Sequence, residues 1–209
     1  EFEADDNIGD IDQCDYENYD YVVARVPKGN IELVHYLECK NFRFMEAQFD
    51  LFRNNMSKYD IPNNMLKMSK KITYSKVDTL YGMEQVKNSI SENLFDTDRI
   101  SLDPYLGKEL SAVRYRNWIA DEFNKKDVEL YELIYNKIKI GFFLIKQQEN
   151  ESIAVLLGGL YDKYKGSGLG FSIIHKPIEI AYERGIRFLN TRVSSNNQQI
   201  LRIYLSFGY

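Results

Sequence analysis

Ala154-Val155-Leu156-Leu157-Gly158-Gly159-Leu160-Tyr161-Asp162-Lys163-Tyr164-Lys165-Gly166-Ser167-Gly168-Leu169-Gly170 decides how the rest of the chain is read. Apolar residues run into a glycine doublet. A short polar, aromatic turn follows, and three more glycines lead into a segment with helical spacing. The pattern reads as strand, glycine-rich turn, helix N-terminus. Such a turn points to an anion. The first amides of a helix have no internal partner and sit at the positive end of its dipole. Glycines let a phosphate approach them closely, and Lys165 adds a cation. An ordinary strand-to-helix turn is the plain alternative. Two other phosphate loops are excluded. No glycine here is followed by Lys and then Ser or Thr, as a P-loop requires. Counting from Gly166, the sixth position is Phe171, so G-x-G-x-x-G fails as well. Within the strand, Gly158-Gly159 predicts a bulge or a close backbone approach.

The tail carries a second pattern: Val193-Ser194-Ser195-Asn196-Asn197-Gln198-Gln199-Ile200-Leu201-Arg202-Ile203-Tyr204-Leu205-Ser206-Phe207-Gly208-Tyr209. A valine and polar residues lead to Asn197. Tyr204 follows seven positions later on a helical segment, and Gly208-Tyr209 closes it. Together the two stretches resemble the GNAT N-acetyltransferase superfamily. The family's acyl-CoA motif, Arg/Gln-x-x-Gly-x-Gly/Ala after a strand, is matched by Lys165, Gly168 and Gly170. Lysine keeps the charge of arginine and loses its planar fork.

The resemblance implies an α+β fold with a mixed, mostly antiparallel sheet flanked by helices. It implies an N-acetyltransferase with acetyl-CoA as co-substrate, a small amine as acceptor, and no metal. Backbone near Gly159 and Leu160 would meet the pantetheine and the acyl oxygen. Lys165, Gly166, Ser167, Gly168, Leu169 and Gly170 would hold the pyrophosphate, and Asn197 would hydrogen-bond the CoA arm. Tyr204 would protonate the leaving thiolate, since an ordinary tyrosine pKa of about 10 keeps it protonated at neutral pH. Its other reading is a core tyrosine on the face it shares with Ile200 and Leu201. No general base stands out: Glu129, Glu132, Glu151 and Asp162 all stay open.

The whole chain also resembles sugar-nucleotide enzymes of the dTDP-fucosamine acetyltransferase type, which carry a strand–helix–strand subdomain before the GNAT domain. Asp20 to Leu51 has that layout. Phe95-Asp96-Thr97-Asp98-Arg99-Ile100 is similar to their loop between the first two GNAT helices. Arg99 would then contact the acceptor or its phosphate, or else anchor the loop. On this resemblance the expected acceptor is an amino sugar of a nucleotide-sugar. Two alternatives remain: a protein or peptide amine as acceptor, and a non-catalytic module that binds acyl-CoA.

Three segments are expected: an acidic leader (1–18), a strand–helix–strand subdomain with linker (19–68), and the GNAT domain (69–209). Strands are expected over Tyr19–Val26 and Phe44–Phe52, with a helix between them opened by Asn30 and closed by Asn41. From residue 72 the order reads strand, two helices, three strands, helix, strand, helix. Pro177 predicts a kink in the helix after the glycine turn. His175 reads as a satisfied histidine.

The chain has 209 residues, 44% hydrophobic and 28% charged, with a net charge of −4. Residues 1–20 hold nine acids and no base, so the remainder has 27 basic against 22 acidic side chains. That small excess suits a polyphosphate ligand and is too weak to argue for nucleic acid. No apolar run approaches the ~20 residues of a membrane helix. Cys14 and Cys39 form no disulfide framework or metal spacing, and the expected location is the cytoplasm. A homodimer is left open.

Overall fold

A computed structural model describes residues 18–55, 63–149 and 151–209. The acidic leader lies outside them except for its last residue, and so does Cys14. The chain forms two compact units that divide between Met45 and Glu46.

Among its described residues the first unit holds one helix, α1 (Ile31–Cys39). Asn30 Oδ1 accepts the Leu33 N–H at 3.1 Å. Asn41, at φ 67°, closes the helix. The Phe42 and Asn41 amides bond back to the Leu37 and Glu38 carbonyls, each at 3.0 Å. Leu33 and Leu37 bury against Ala24, Val26, Tyr36 and Phe42. The strand expected over Tyr19–Val26 does not form; only Ala24 makes an isolated bridge.

The second unit contains β1 (Gln48–Asn54), α2 (Asn63–Ser69), β2 (Ile72–Lys76), α3 (Leu80–Asn88), α4 (Arg99–Leu102), α5 (Gly107–Phe123) and β3 (Val128–Tyr135). It continues with β4 (Ile138–Gln148), β5 (Ser152–Leu160), α6 (Ser172–Glu183), β6 (Phe188–Ser194) and α7 (Gln198–Ser206). The six strands form one sheet in the order β1-β6-β5-β4-β3-β2. Every neighbouring pair is antiparallel except β5–β6. Asn136 and Lys137 both take positive φ and turn the β3–β4 hairpin.

This sheet corrects the expected division at 68/69. The second strand of the expected subdomain is β1, and it pairs with β6 from Gln48↔Ser194 to Asn54↔Phe188. Buried Arg53 donates to the Phe207 carbonyl. The physical reason is the open edge of β6, whose amides and carbonyls need a partner. Part of the expected linker is helix α2, which packs Met65 and Met68 on the core.

The sheet buries both faces. One carries Tyr131, Leu133, Phe143, Val155 and Leu189 against Ile173, Ile174, Ile178 and Ala181 of α6 and Tyr204 of α7. The other carries Leu130, Phe142, Leu144 and Leu157 against Met83 and Val86 of α3 and Tyr115 and Ile119 of α5. α3 ends six residues before the expected helical stripe does. Ile90 and Leu94 still bury, from the turns that follow. α6 runs unbroken through Pro177. It ends on Gly185, at φ 66°. There the Ile186 and Gly185 amides bond to the Ala181 and Tyr182 carbonyls at 2.8 and 3.1 Å.

Candidate active site

The parallel pair β5–β6 opens partway along. Their rungs run from Ser152↔Phe188 to Val155↔Thr191 and stop there, although β5 continues to Leu160 and β6 to Ser194. At that point the register of β5 against β4 jumps from Leu144↔Leu157 to Ile145↔Val155. Leu156 is therefore the extra residue of a bulge, which sharpens the local twist and turns the two strands apart. The backbone of 156–160 has no strand partner on its β6 side. The bulge sits two residues before the expected glycine doublet. Gly158 and Gly159 pair regularly with Phe143 and Phe142. Gly158 serves the other half of the expectation, close approach: a Cβ there would lie 2.4 Å from Ile173 Cγ2 of α6. Gly159 and Leu160 border the opening, and the Leu160 side chain points into the core.

The glycine turn lies at the end of β5. Asp162–Tyr164 make one 3-10 turn, and Gly166 and Gly168 follow at φ 74° and 78°. Leu169 and Phe171 are buried and pin the turn to the core, while residues 165–168 are exposed. Half of the amides from 165 to 172 are used internally: Lys165 bonds Asp162 O, Ser167 bonds Tyr164 O, Leu169 bonds Ser167 Oγ, and Ser172 bonds Leu169 O. The amides of Gly166, Gly168, Gly170 and Phe171 bond to no group among the described residues. A Cβ on Gly166, Gly168 or Gly170 would meet nothing within 4 Å. Gly170 has no positive φ either, so neither backbone nor packing calls for a glycine there. These glycines leave room beside four free donors at the start of a twelve-residue helix, which suits a diphosphate. Lys165 is part of the turn, but its ammonium bonds to the Asn93 carbonyl and lies 3.8 Å from Asp96 Oδ2.

Tyr204 and Asn197 come from α7. Asn197 is its N-cap: Oδ1 accepts the Ile200 N–H at 3.2 Å, and the amide NH2 remains as donor. Tyr204 is 5% exposed. Burial pushes its hydroxyl up to about 12, with a hydrogen bond to Thr191 acting the other way. Thr191 is the last residue of β6 paired with β5 and donates to the Val155 carbonyl at 2.9 Å. The hydroxyl of Tyr204 thus stands at the apex of the opening. Its ring meets Tyr209 edge-on at 4.8 Å.

Arg99 starts α4. Its Nη1 is 4.0 Å from Glu46 Oε1, and its Nε is buried with no acceptor. Among the described residues no hydrogen bond or ion pair joins its side chain to the glycine turn. The four carboxylates left open as bases do not reach the apex. Glu129 is two strands away and bound by Lys76, Arg184 and Tyr131. Glu132, also two strands away, lies buried between Lys139 at 2.7 Å and Tyr161. Glu151 turns the β4–β5 hairpin at the far end of β5, and Asp162 opens the 3-10 turn. Among the described residues no cluster of three metal-ligating side chains occurs. His175 is buried against Ser69 at 2.7 Å and Glu179 at 3.2 Å.

Sequence reading missed Leu156, Thr191, Asn93 and Asp96. Ala-Val-Leu-Leu has no bulge signal, and the other three gain meaning only from neighbours remote in sequence.

The fold, a six-stranded, mostly antiparallel sheet with flanking helices, matches that of solved GNAT-family acetyltransferase structures. No protein-family model matches the sequence, and no curated protein does. Solved structures do match. A GNAT-family protein from Desulfovibrio desulfuricans aligns with TM-score 0.50 and 10% identity over 66% of this chain and 83% of its own. A GCN5-related N-acetyltransferase from Sphaerobacter thermophilus aligns with TM-score 0.52 and 11% identity over 80% of this chain. There the match spans 49% of the neighbour's length. A functionally unknown conserved protein from Staphylococcus epidermidis aligns with TM-score 0.54 and 13% identity over 85% of this chain and 63% of its own. At these identities the likeness is one of fold.

Proposed function

We propose that the protein is an acetyl-CoA-dependent N-acetyltransferase acting on a small amine. The observation that carries this is the set of four free amides at Gly166, Gly168, Gly170 and Phe171, beside a strand pair that has come apart. In this reading those amides and Lys165 hold the diphosphate. The unpaired edge of 156–160 bonds the amide-bearing arm, and the Asn197 NH2 adds a donor. Acetyl-CoA supplies the acetyl group as a thioester. Tyr204 gives its proton to the sulfur as the carbon–sulfur bond breaks and the amine nitrogen bonds the acyl carbon. A tyrosine held near 12 is fully protonated at neutral pH, so the donor is always charged with its proton. The acceptor's ammonium proton leaves to solvent before attack, and the second proton that the nitrogen sheds on becoming an amide returns through solvent to the Tyr204 oxygen, which restores the enzyme.

For the acceptor, an amino sugar of a nucleotide-sugar rests on the resemblance of residues 20–51 and 95–100 alone. Arg99, with its orphaned Nε, is the residue that would meet the acceptor's phosphate. A second reading, a module that binds acyl-CoA without turning it over, is favoured by the burial of Tyr204 and its bond to Thr191. Calorimetric titration with acetyl-CoA, free CoA and ADP tests the shared step. No heat at millimolar acetyl-CoA rejects both readings. Binding followed by CoA release with any amine in a panel that starts with amino-sugar nucleotides selects the enzyme. Binding without release across sugars, polyamines, amino acids and peptides selects the module.

A further inference from the structure

Lys165 stands where the GNAT motif has Arg or Gln, and its side chain turns away from the glycine turn to a second loop. Its ammonium donates to the Asn93 carbonyl and lies 3.8 Å from Asp96 Oδ2. Residues 93–98 are otherwise held mainly from beneath, with Lys108 Nζ reaching Asn93 Oδ1 at 3.5 Å on the exposed side. Leu94 is buried, with its side chain facing Gly159 of β5. The Phe95 ring lies 4.0 Å from that of Tyr115. Asp98 caps α4 through the Ile100 amide at 3.2 Å and accepts the Ser111 hydroxyl at 3.0 Å. Arg99 follows directly. The tie to Lys165 faces solvent as well, with side chains 37% and 50% exposed for Lys165 and Asp96.

Resting on the acyl-CoA reading above, we propose that Asp96 and the Asn93 carbonyl are positioning residues. They hold Lys165 against the 93–98 loop, so that diphosphate binding at the glycine turn and the setting of that loop are coupled through one ammonium group. The chemistry favours an exchange. At 3.8 Å the Asp96 carboxylate is beyond hydrogen-bond distance of the ammonium and is screened by water. A diphosphate offers more charge and a direct hydrogen bond. Lysine suits the exchange, because a point charge on a flexible stem swings between acceptors where a planar guanidinium would have to match both. When Lys165 moves to the phosphate, Asn93 and Asp96 are released, and the change reaches Asp98 and Arg99 along five residues of chain. Asp96 is therefore a built-in competitor for the cofactor's phosphates.

The test is a double-mutant cycle on the full chain, read by acetyl-CoA titration. Lys165→Met weakens binding about tenfold, as for loss of a charge-assisted hydrogen bond. Asp96→Asn tightens it by roughly threefold, as for removal of an exposed competing charge. Placed on top of Lys165→Met, Asp96→Asn changes nothing. An unchanged affinity in Asp96→Asn, or a gain that persists without Lys165, overturns the proposal. A second measurement needs no ligand: amide hydrogen exchange over residues 93–98 speeds up in Lys165→Met and returns toward the parent rate in Lys165→Arg. Equal rates in parent and Lys165→Met overturn the proposal. If the parent binds no acetyl-CoA, the acyl-CoA reading falls by itself, and the exchange rates still decide whether Lys165 holds the loop.

Discussion

Tyr204 is held by the turn that ends its own helix. Gly208 takes φ 79°, and the Tyr209 and Gly208 amides bond to the Tyr204 and Leu205 carbonyls at 3.3 and 3.1 Å. This is a left-handed cap, and the Tyr204–Tyr209 ring contact is the apolar pairing that accompanies it. The Gly-aromatic step at the end of the sequence therefore has a structural job: it sets the ring that carries the proposed acid. Tyr204→Phe keeps that ring and removes the hydroxyl. The expected outcome is a fall in kcat of about tenfold to a hundredfold with the KM for acetyl-CoA unchanged. Unchanged turnover in a chemistry-limited assay would assign the sulfur's proton to another donor. His175 makes a prediction of another kind. Burial holds its pKa below the ordinary value, outweighing the pull of Glu179. The unfolded chain then binds a proton that the native state resists. Its contribution is complete above about pH 6.5 and is lost as pH falls from there toward the lowered native value. Thermal melts of the parent should show Tm falling between pH 7 and 5, with a shallower fall in His175→Gln.

At the scale of elements, β5 and the turn before α6 assign opposite roles to their glycines. Gly158 is where α6 rests on the sheet, and its missing Cβ makes room for Ile173. Gly158→Ala should cost about 1–3 kcal/mol in urea unfolding, because the contact is made by a packed side chain on a rigid helix. Gly170 has open space and no positive φ. Gly170→Ala should leave stability unchanged or raise it by about 0.5 kcal/mol, while weakening acetyl-CoA binding roughly tenfold if the phosphates approach this amide. Equal affinity in Gly170→Ala would remove the turn from the cofactor site. α6 also tolerates an interior proline. Pro177 is buried, so tertiary packing supplies what the missing backbone bond does not.

For the whole molecule the decisive contact is β1 on β6. Seven residues of β1 cover the edge of β6, and Arg53 reaches across to the end of α7. A chain trimmed to residues 46–209 should keep one cooperative melt, because the second unit retains its full sheet. A chain trimmed to 69–209, the domain that sequence order alone suggests, should melt lower by roughly 10 °C or more. It should also self-associate in light scattering, since β6 would become an open edge. A 69–209 chain as stable as 46–209 would show that β1 is dispensable.

Sequence by itself was enough for whatever is local or periodic. The order of elements from residue 72, the caps at Asn30, Asn41 and Gly185, the hairpin at Asn136-Lys137 and the glycine turn all follow from short-range rules on φ, capping and side-chain spacing. The placement of Lys165, Gly168 and Gly170 in the turn, of Asn197 at the cap of the last helix and of Tyr204 on that helix followed for the same reason. Tertiary structure decided what depends on partners far along the chain. It moved β1 from a separate subdomain to the edge of the main sheet, and turned Lys165 to Asn93 and Asp96. It set the bulge at Leu156 rather than at the glycine doublet. It also put the Tyr204 hydroxyl at the rung where β5 and β6 part. Each of these is a pairing between segments tens of residues or more apart, chosen by burial and by unpaired backbone groups, which no local pattern encodes.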